Sequence, residues 1–245
     1  MPKVSLIHYT GEGHPDQFYA ARLLAYTKNT RMNMTPDGWK EFLQNKPIGE
    51  ILKEVNYMAT TIPSSWEFVD VIFAVNDISR ATAQQMTRTR NATFAMQSQR
   101  VSDMSQVTWD HGKNHLLDQA IQNGINEYSD LVEAEVPLED ARDALPIGVH
   151  CNLVVKYNLR SFVDLARARD SLRVQGPYVE VVRQMKELLL DVWPWAAPFF
   201  EPKDKKAIVM IETVARELAA MGGEQGAMYK GLSGQLAKAA DLLKK

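Results

Sequence analysis

The spacing of apolar positions changes character several times along the chain. Val4 to Tyr9 reads as a short strand. Phe18, Ala21, Leu24 and Ala25 then recur at helical spacing and predict a helix over Asp16 to Lys28. A polar stretch with Asn29, Asn33, Pro36, Asp37 and Gly38 reads as loop. Trp39 to Gln44 and Ile48 to Met58 return to the helical pattern, and Pro63-Ser64-Ser65 breaks it. Phe68 to Val75 is apolar and β-branched, which predicts a strand. Asn76-Asp77 should turn it, and Ser79 should cap a helix running through Arg88. Phe94 to Val101 fits either pattern. Beyond it the spacing predicts helices over His115 to Val132 and Leu138 to Leu145, the second stopped by Pro146, and a strand over Val149 to Tyr157. Asn158 to Leu172, Tyr178 to Val192, Lys205 to Met221 and Ala227 to Lys244 read as helices. The last two have the Leu/Ala faces and Lys-rich backs of ordinary packing or subunit-contact helices. No internal repeat or low-complexity segment interrupts this order.

Composition narrows the picture. With 245 residues, 45% of them hydrophobic, the chain can bury one sizeable core, with or without a helical appendage. A formal net charge of −2 and a pI near 6.2 give no global attraction to nucleic acid or to an anionic membrane surface. Any anionic ligand must therefore be held by local groups of arginine. Cys151 is the sole cysteine, so no intramolecular disulfide can form and a cysteine-based metal site is disfavoured. The segment Met1 to Ile7 is too short in apolar residues for a signal peptide, and no run reaches the roughly 18 apolar residues of a spanning helix. A soluble cytoplasmic protein is expected.

Two polar groupings carry candidate chemistry. The first is Gln85-Met86-Thr87-Arg88-Thr89-Arg90 followed by Ser98-Gln99-Arg100. Guanidinium groups present a fixed fork of donors that matches phosphate oxygens, and Ser and Gln add neutral donors. The bland alternative is a solvated, Arg-rich turn. The second is Asn158-Leu159-Arg160-Ser161 with Asp164, Arg167 and Arg169 on one expected helix, where Arg160 and Asp164 stand four apart and can pair on the surface. Arg142 lies just before Leu145-Pro146. His111 and His115 are also four apart, but no third ligand accompanies them and no metal is assigned. There is no Gly-rich phosphate loop and no Gly-x-Ser-x-Gly elbow.

These groupings resemble flavin-dependent thymidylate synthases of the ThyX type. That family's signature is Arg-His-Arg, seven residues, then Ser, with Arg two further on; here it reads Arg88-Thr89-Arg90 and Ser98-Gln99-Arg100. Phe73-Ala74-Val75, Ser79-Arg80, Gln85 and Glu67 match the family's approach to the signature. Arg142, Leu145-Pro146, Asn158-x-Arg160-Ser161, Arg169 and Gln175 match a second, separate constellation, and Ala20-Ala21-Arg22 echoes a third. The likeness covers about residues 4 to 195. The departures are Thr89 for the signature His, Ala95 and Met96 for a polar pair, Val101 for a Tyr, Ile62 and Phe68 for two His, and Asp164 for an Asn that helps hold flavin.

The resemblance implies an α+β fold, a curved, mostly antiparallel sheet covered by helices, with a catalytic domain over residues 1–200 and a helical C-terminal extension over 201–245. It implies that Gln85, Arg88, Ser98, Gln99, Arg100, Arg142 and Arg169 line a pyrimidine deoxynucleotide monophosphate site. Ser98 and Arg100 would be on the phosphate and Arg169, the candidate catalytic cation, would face the base. Ser64, Arg88, Thr89, Arg90, Asn158, Arg160 and Asp164 fall at flavin-binding positions. FAD, methylenetetrahydrofolate and NADPH are the implied cofactors, and a homotetramer with shared active sites the implied assembly. The expected reaction is dUMP to dTMP. The departures leave two alternatives: a variant enzyme that makes a 5-hydroxymethyl product or acts on dCMP, and a non-catalytic nucleotide-binding relative. Cys151, on an apolar strand, reads as a core residue and not as a nucleophile.

Overall fold

The structure, a computed structural model, describes residues 2–28, 35–112, 114–169, 176–201, 205–220 and 226–243. Its strands are β1 (Lys3–Tyr9), β2 (Asp70–Ser79), β3 (Ala92–Met96) and β4 (His150–Asn158). They form one open sheet in the order β1-β2-β4-β3, antiparallel at every pairing. Strand alternation assigns the two faces. On β4, Cys151, Leu153, Val155 and Tyr157 are buried while Asn152, Val154 and Lys156 are exposed. On β2, Val71, Phe73, Val75 and Ile78 point into the same core.

Helices cover that one face: α1 (Tyr19–Thr27), α2 (Gly38–Asn45), α3 (Ile48–Thr61), α7 (Leu159–Arg169) and α8 (Pro177–Val192), with 3-10 turns at Pro63–Phe68 and Pro194–Phe200. The core between them is aromatic. Trp66, Phe73, Tyr157, Phe162, Trp193 and Phe199 are all fully buried, and each such side chain contributes on the order of 2 kcal/mol by leaving water. Trp66 also donates its indole N–H to the Met58 carbonyl at 3.0 Å, so its one polar atom is not stranded.

Helix α4 (Arg80–Met86) packs on the same face, with Ala83 and Met86 in the main core, while α5 (His115–Glu133) and α6 (Leu138–Ala141), the last running into a 3-10 turn at Arg142–Ala144, form smaller clusters with the segments that follow β3 and precede β4. The Met104 N–H donates to the buried Tyr128 hydroxyl at 3.0 Å, which pins the segment after β3 onto α5. Gly124 permits α5 to lie against Pro146: a Cβ there would meet the ring Cγ at 2.5 Å. Helices α9 (Lys205–Ala220) and α10 (Gly226–Leu243) pack on each other. No helix among the described residues is long and apolar enough to cross a membrane.

Several boundaries differ from the sequence reading. The first helix begins at Tyr19, not Asp16, because the Asp16 carboxylate accepts the Phe18 N–H at 2.9 Å and holds the chain in a turn. Asn76-Asp77 does not end β2. The strand continues to Ser79 through a register shift between Val75 and Ile78, with Asp77 at φ 56 and its N–H donating to Asn152 Oδ1. The turn-forming residues there make a bulge and not a turn. The ambiguous run Phe94 to Val101 divides into the end of β3 and an irregular segment. Asp170 to Gln175, read partly as helix and partly as motif, lie outside the described residues, as do Asn29 and Asn33.

Candidate active site

The candidate residues fall into three groups, each placed by the end of a secondary element. The first joins the two halves of the chain. Ser79 caps α4 by accepting the Thr82 N–H at 3.2 Å. The helix ends at Met86, where the Thr89 N–H returns to the Met86 carbonyl at 3.0 Å. Gln85, Arg88 and Arg90 are exposed around this end, and among the described residues no carboxylate pairs with either arginine. The Thr89 hydroxyl lies 3.2 Å from the phenol oxygen of Tyr178, in the first turn of α8. The guanidinium of Arg169, the last residue of α7, sits over the Tyr178 ring, 4.6 Å from its centroid. Burial pushes the Tyr178 phenol up, against the pull of Thr89 and Arg169, and burial does the same to Tyr157 beside it. Both phenols stay protonated at neutral pH.

The second group gathers where β4 turns into α7. The side chain of Asn158 accepts the Ser161 N–H at 2.8 Å, starting the helix, and Leu159 N–H donates to the Val69 carbonyl at 2.9 Å. These bonds fasten α7 to the 3-10 turn that carries Ser64 and Glu67. Arg160 pairs with Glu67 at 2.6 Å. The spacing of Arg160 and Asp164 also allowed a surface pair, which does not form. Asp164 is exposed one turn on and exerts its field on Arg167 instead. Arg167 is lowered mainly by burial and donates to the Phe199 carbonyl at 2.6 Å, which makes it a packing residue.

The third group follows β3. Ser98 accepts the Arg100 N–H at 3.3 Å, and Arg100 reaches Glu139 of α6 at 3.3 Å. Arg142 stands one turn beyond Glu139, on the 3-10 turn. Gln99 is buried, 8% exposed, and its amide nitrogen has no hydrogen-bond partner among the described residues. Buried donors are nearly always paired, so this nitrogen is the unsatisfied polar atom of the group.

Elsewhere, Cys151 is buried and its thiol is pushed up by burial, the Arg80 charge opposing, so it is not poised as a nucleophile. His111 precedes α5 and stacks near Trp109, with ring centroids 4.0 Å apart. It therefore shares no helical face with His115. A cavity of about 570 Å³ between Trp109, His111, His150 and the start of α8, and one of about 220 Å³ behind Asp103 and Asn152, include none of the candidate residues. The sequence reading missed two participants. Tyr178 entered it only as a helix start, and Glu139 only as part of a short helix. Neither carries a local signal: Glu139 is identified by Arg100, 39 positions away, and Tyr178 by Thr89, 89 positions away, together with Arg169 at the end of the preceding helix.

The family model described as thymidylate synthase complementing protein matches residues 5–195. Among curated proteins, the flavin-dependent thymidylate synthase of Haloarcula marismortui is 26% identical over 57% of this chain and 70% of its own length. The enzymes of that name from Saccharolobus solfataricus and Nitratidesulfovibrio vulgaris are 25% and 28% identical, each over 79% of this chain, and over 75% and 84% of their own lengths. Among solved structures, a UMP/dUMP methylase from Streptomyces cacaoi, bound with 5-Br dUMP, superposes with a TM-score of 0.62. That likeness covers 82% of this chain and 94% of the other at 16% identity, and it bears on the fold.

Proposed function

The chain belongs to the thymidylate synthase complementing protein family, and on that premise we propose that it moves a one-carbon unit from methylenetetrahydrofolate to C5 of dUMP, giving dTMP. It is a divergent flavin-dependent enzyme of the thymidylate synthase kind. The observation that carries the substrate reading is the meeting of the two sequence constellations at Tyr178, where Thr89 and Arg169 approach the same ring from segments 80 positions apart.

The chain's own groups divide the work. Ser98 and Arg100 hold the nucleotide phosphate, with Gln85, Gln99 and Arg142 around it. Arg169 faces the base, where a fixed cation stabilises negative charge developing on the ring as C5 becomes nucleophilic. The exposed Arg88 and Arg90, which pair with no carboxylate among the described residues, suit the diphosphate of FAD, and Asn158, Arg160, Ser64 and Asp164 offer polar groups for the rest of it. Bound flavin supplies the hydride, and NADPH replenishes it. No enzyme thiol is required, in keeping with the buried Cys151.

The assembly belongs to the same reading. The outer sheet face carries Ile7, 47% exposed, and Val154, 39% exposed, beside Ile72, Ala74 and Ala95. A second copy of this chain would cover it, in a homotetramer with shared sites. Residues 201–245 form a helical appendage to a catalytic unit spanning 1–200, and the location is cytoplasmic.

The product decides the matter. The full chain, with FAD, NADPH and methylenetetrahydrofolate, is offered dUMP and dCMP separately and the products are identified by mass. A 5-methyl product from dUMP is expected. A hydroxymethyl product, or turnover of dCMP alone, would instead favour the variant enzyme. The apolar Ala95, Met96 and Val101, the last 77% exposed where hydrogen-bonding groups are usual, motivate that second reading.

A further inference from the structure

We propose that Tyr178 is the positioning residue for Arg169, and that Thr89 acts on the base end of the site through the Tyr178 hydroxyl. This rests on the reading of Arg169 as the base-facing cation.

Tyr178 is 3% exposed, so its ring is fixed by the core, yet one face of it receives a half-buried guanidinium at 4.6 Å. An arginine side chain loses much rotamer freedom on being fixed. A cation held over an aromatic face before the ligand arrives has already lost much of it. The ring's own rotation is checked at its far end. The phenol oxygen lies 3.2 Å from Thr89 Oγ1, whose backbone is tied to the end of α4. Tyr157 Oη is buried and adjoins the same pair. A chain of contacts thus runs from the Arg88-Thr89-Arg90 segment through one phenol to Arg169. A threonine at the position where the signature has histidine therefore serves this chain as the latch of a tyrosine. If Tyr178 were core filling alone, its hydroxyl and the cation over its face would be incidental, and removing either would move stability but not turnover.

The test uses the full, flavin-loaded enzyme with Tyr178→Phe, Thr89→Val, their double variant, Tyr178→Leu, Arg169→Ala, and the Tyr178→Leu/Arg169→Ala double. Readouts are kcat, KM, dUMP affinity by calorimetry and thermal midpoint. Removing the ring with Tyr178→Leu should lower kcat by about 10- to 30-fold, the scale of a desolvated cation–π contact. Since the phosphate is held elsewhere, KM should stay within about threefold. Tyr178→Phe and Thr89→Val should each lower kcat by about 3- to 5-fold, and the double should do no worse than either single, because each removes the same hydrogen bond. In the Arg169→Ala background, Tyr178→Leu should change dUMP affinity by less than about twofold. Wild-type kcat in both Tyr178→Phe and Thr89→Val, or losses that multiply in their double, would overturn the proposal even if Tyr178→Leu failed to fold. If Arg169→Ala itself turned over at the wild-type rate, the reading of Arg169 would fall instead.

Discussion

Gly124 gives a sharp contest between two physical effects. It lies inside α5, where glycine is about 1 kcal/mol worse than alanine. Propensity alone therefore predicts that Gly124→Ala stabilises the protein. Sterics predict the reverse. The new Cβ would stand 2.5 Å from Pro146 Cγ, 2.7 Å from Cδ and 3.1 Å from the Ala144 carbonyl oxygen. Ordinary carbon contacts lie at about 3.5–4.0 Å, so the helix and the Pro146 segment must separate by about 1 Å. The proline ring is part of the backbone and cannot rotate away. Overpacking of this sort costs about 1–3 kcal/mol, and after the helical gain about 1–2 kcal/mol of destabilisation remains. For a chain of this size that is a fall of roughly 2–8 °C in Tm. Arg142 sits four residues before Pro146 on the displaced segment, so dUMP affinity should fall as well, by several-fold. Circular dichroism melting and calorimetric titration measure the two effects. Gly49→Ala, in α3 with open space around the new Cβ, is the control and should leave Tm level or raise it. A rise in Tm for Gly124→Ala, with dUMP affinity unchanged, would refute the packing argument.

Three further perturbations address the core, the thiol and the flavin side. The Asp16 carboxyl is pushed up by burial but held below its ordinary range by the Phe18 N–H and Arg22. Its stabilisation is therefore full above the ordinary carboxylate value and is lost as pH falls through the lowered one. Asp16→Asn should cost about 1–2 kcal/mol at pH 7, and the gap to wild type in Tm should close as the pH is taken below about 4. A gap independent of pH would exclude the carboxylate as its source. Cys151→Ala should cost about 1 kcal/mol in stability and leave kcat within about twofold; a large loss of turnover at unchanged stability would reopen a thiol mechanism. Glu67→Ala frees Arg160, and because both side chains are nearly half exposed the effect on Tm should be under about 1 kcal/mol. The fraction of FAD retained through gel filtration, read by absorbance, should nonetheless fall. Full retention would remove Glu67 as the group that holds Arg160.

The strands and helices were largely legible because their signals are local. Period-two burial on β4 and period-3.6 burial on α3 and α8 are direct consequences of one buried face. The errors arose where a side chain competed with the backbone. Asp16 captured the Phe18 N–H and delayed a helix, and Asn152 captured the Asp77 N–H and converted an apparent turn into a bulge. The candidate site was legible only as two constellations in sequence. Their meeting at Tyr178 was not, because contacts between the end of α4, the end of α7 and the start of α8 depend on how three helices pack, and no spacing rule encodes that. The Arg160 pairing shows the same limit. The i,i+4 rule offered Asp164, but the 3-10 turn delivered Glu67 to the guanidinium at 2.6 Å, and long-range geometry won.

The arginines can be ranked as anion ligands by what each must give up. Arg22 already pairs with Asp16 at 2.5 Å with only 12% of its side chain exposed, and releasing it would strand a largely buried charge. It belongs to the scaffold despite its place in an Ala-Ala-Arg motif. Arg160 and Arg100 pair with carboxylates while 43% and 63% exposed, where a surface ion pair is worth at most about 1 kcal/mol. A phosphate accepting a charge-assisted fork of hydrogen bonds offers about 1.5–3 kcal/mol, so Arg100 can leave Glu139 for a nucleotide at a net gain. Arg88, Arg90 and Arg142 have no carboxylate among the described residues and give up only water. Arg169 differs from all of these, since its partner is a neutral tyrosine and not a carboxylate. It can keep Tyr178 and bind a ligand at once, which is what a cation required at the reacting ring, and not at the phosphate, needs.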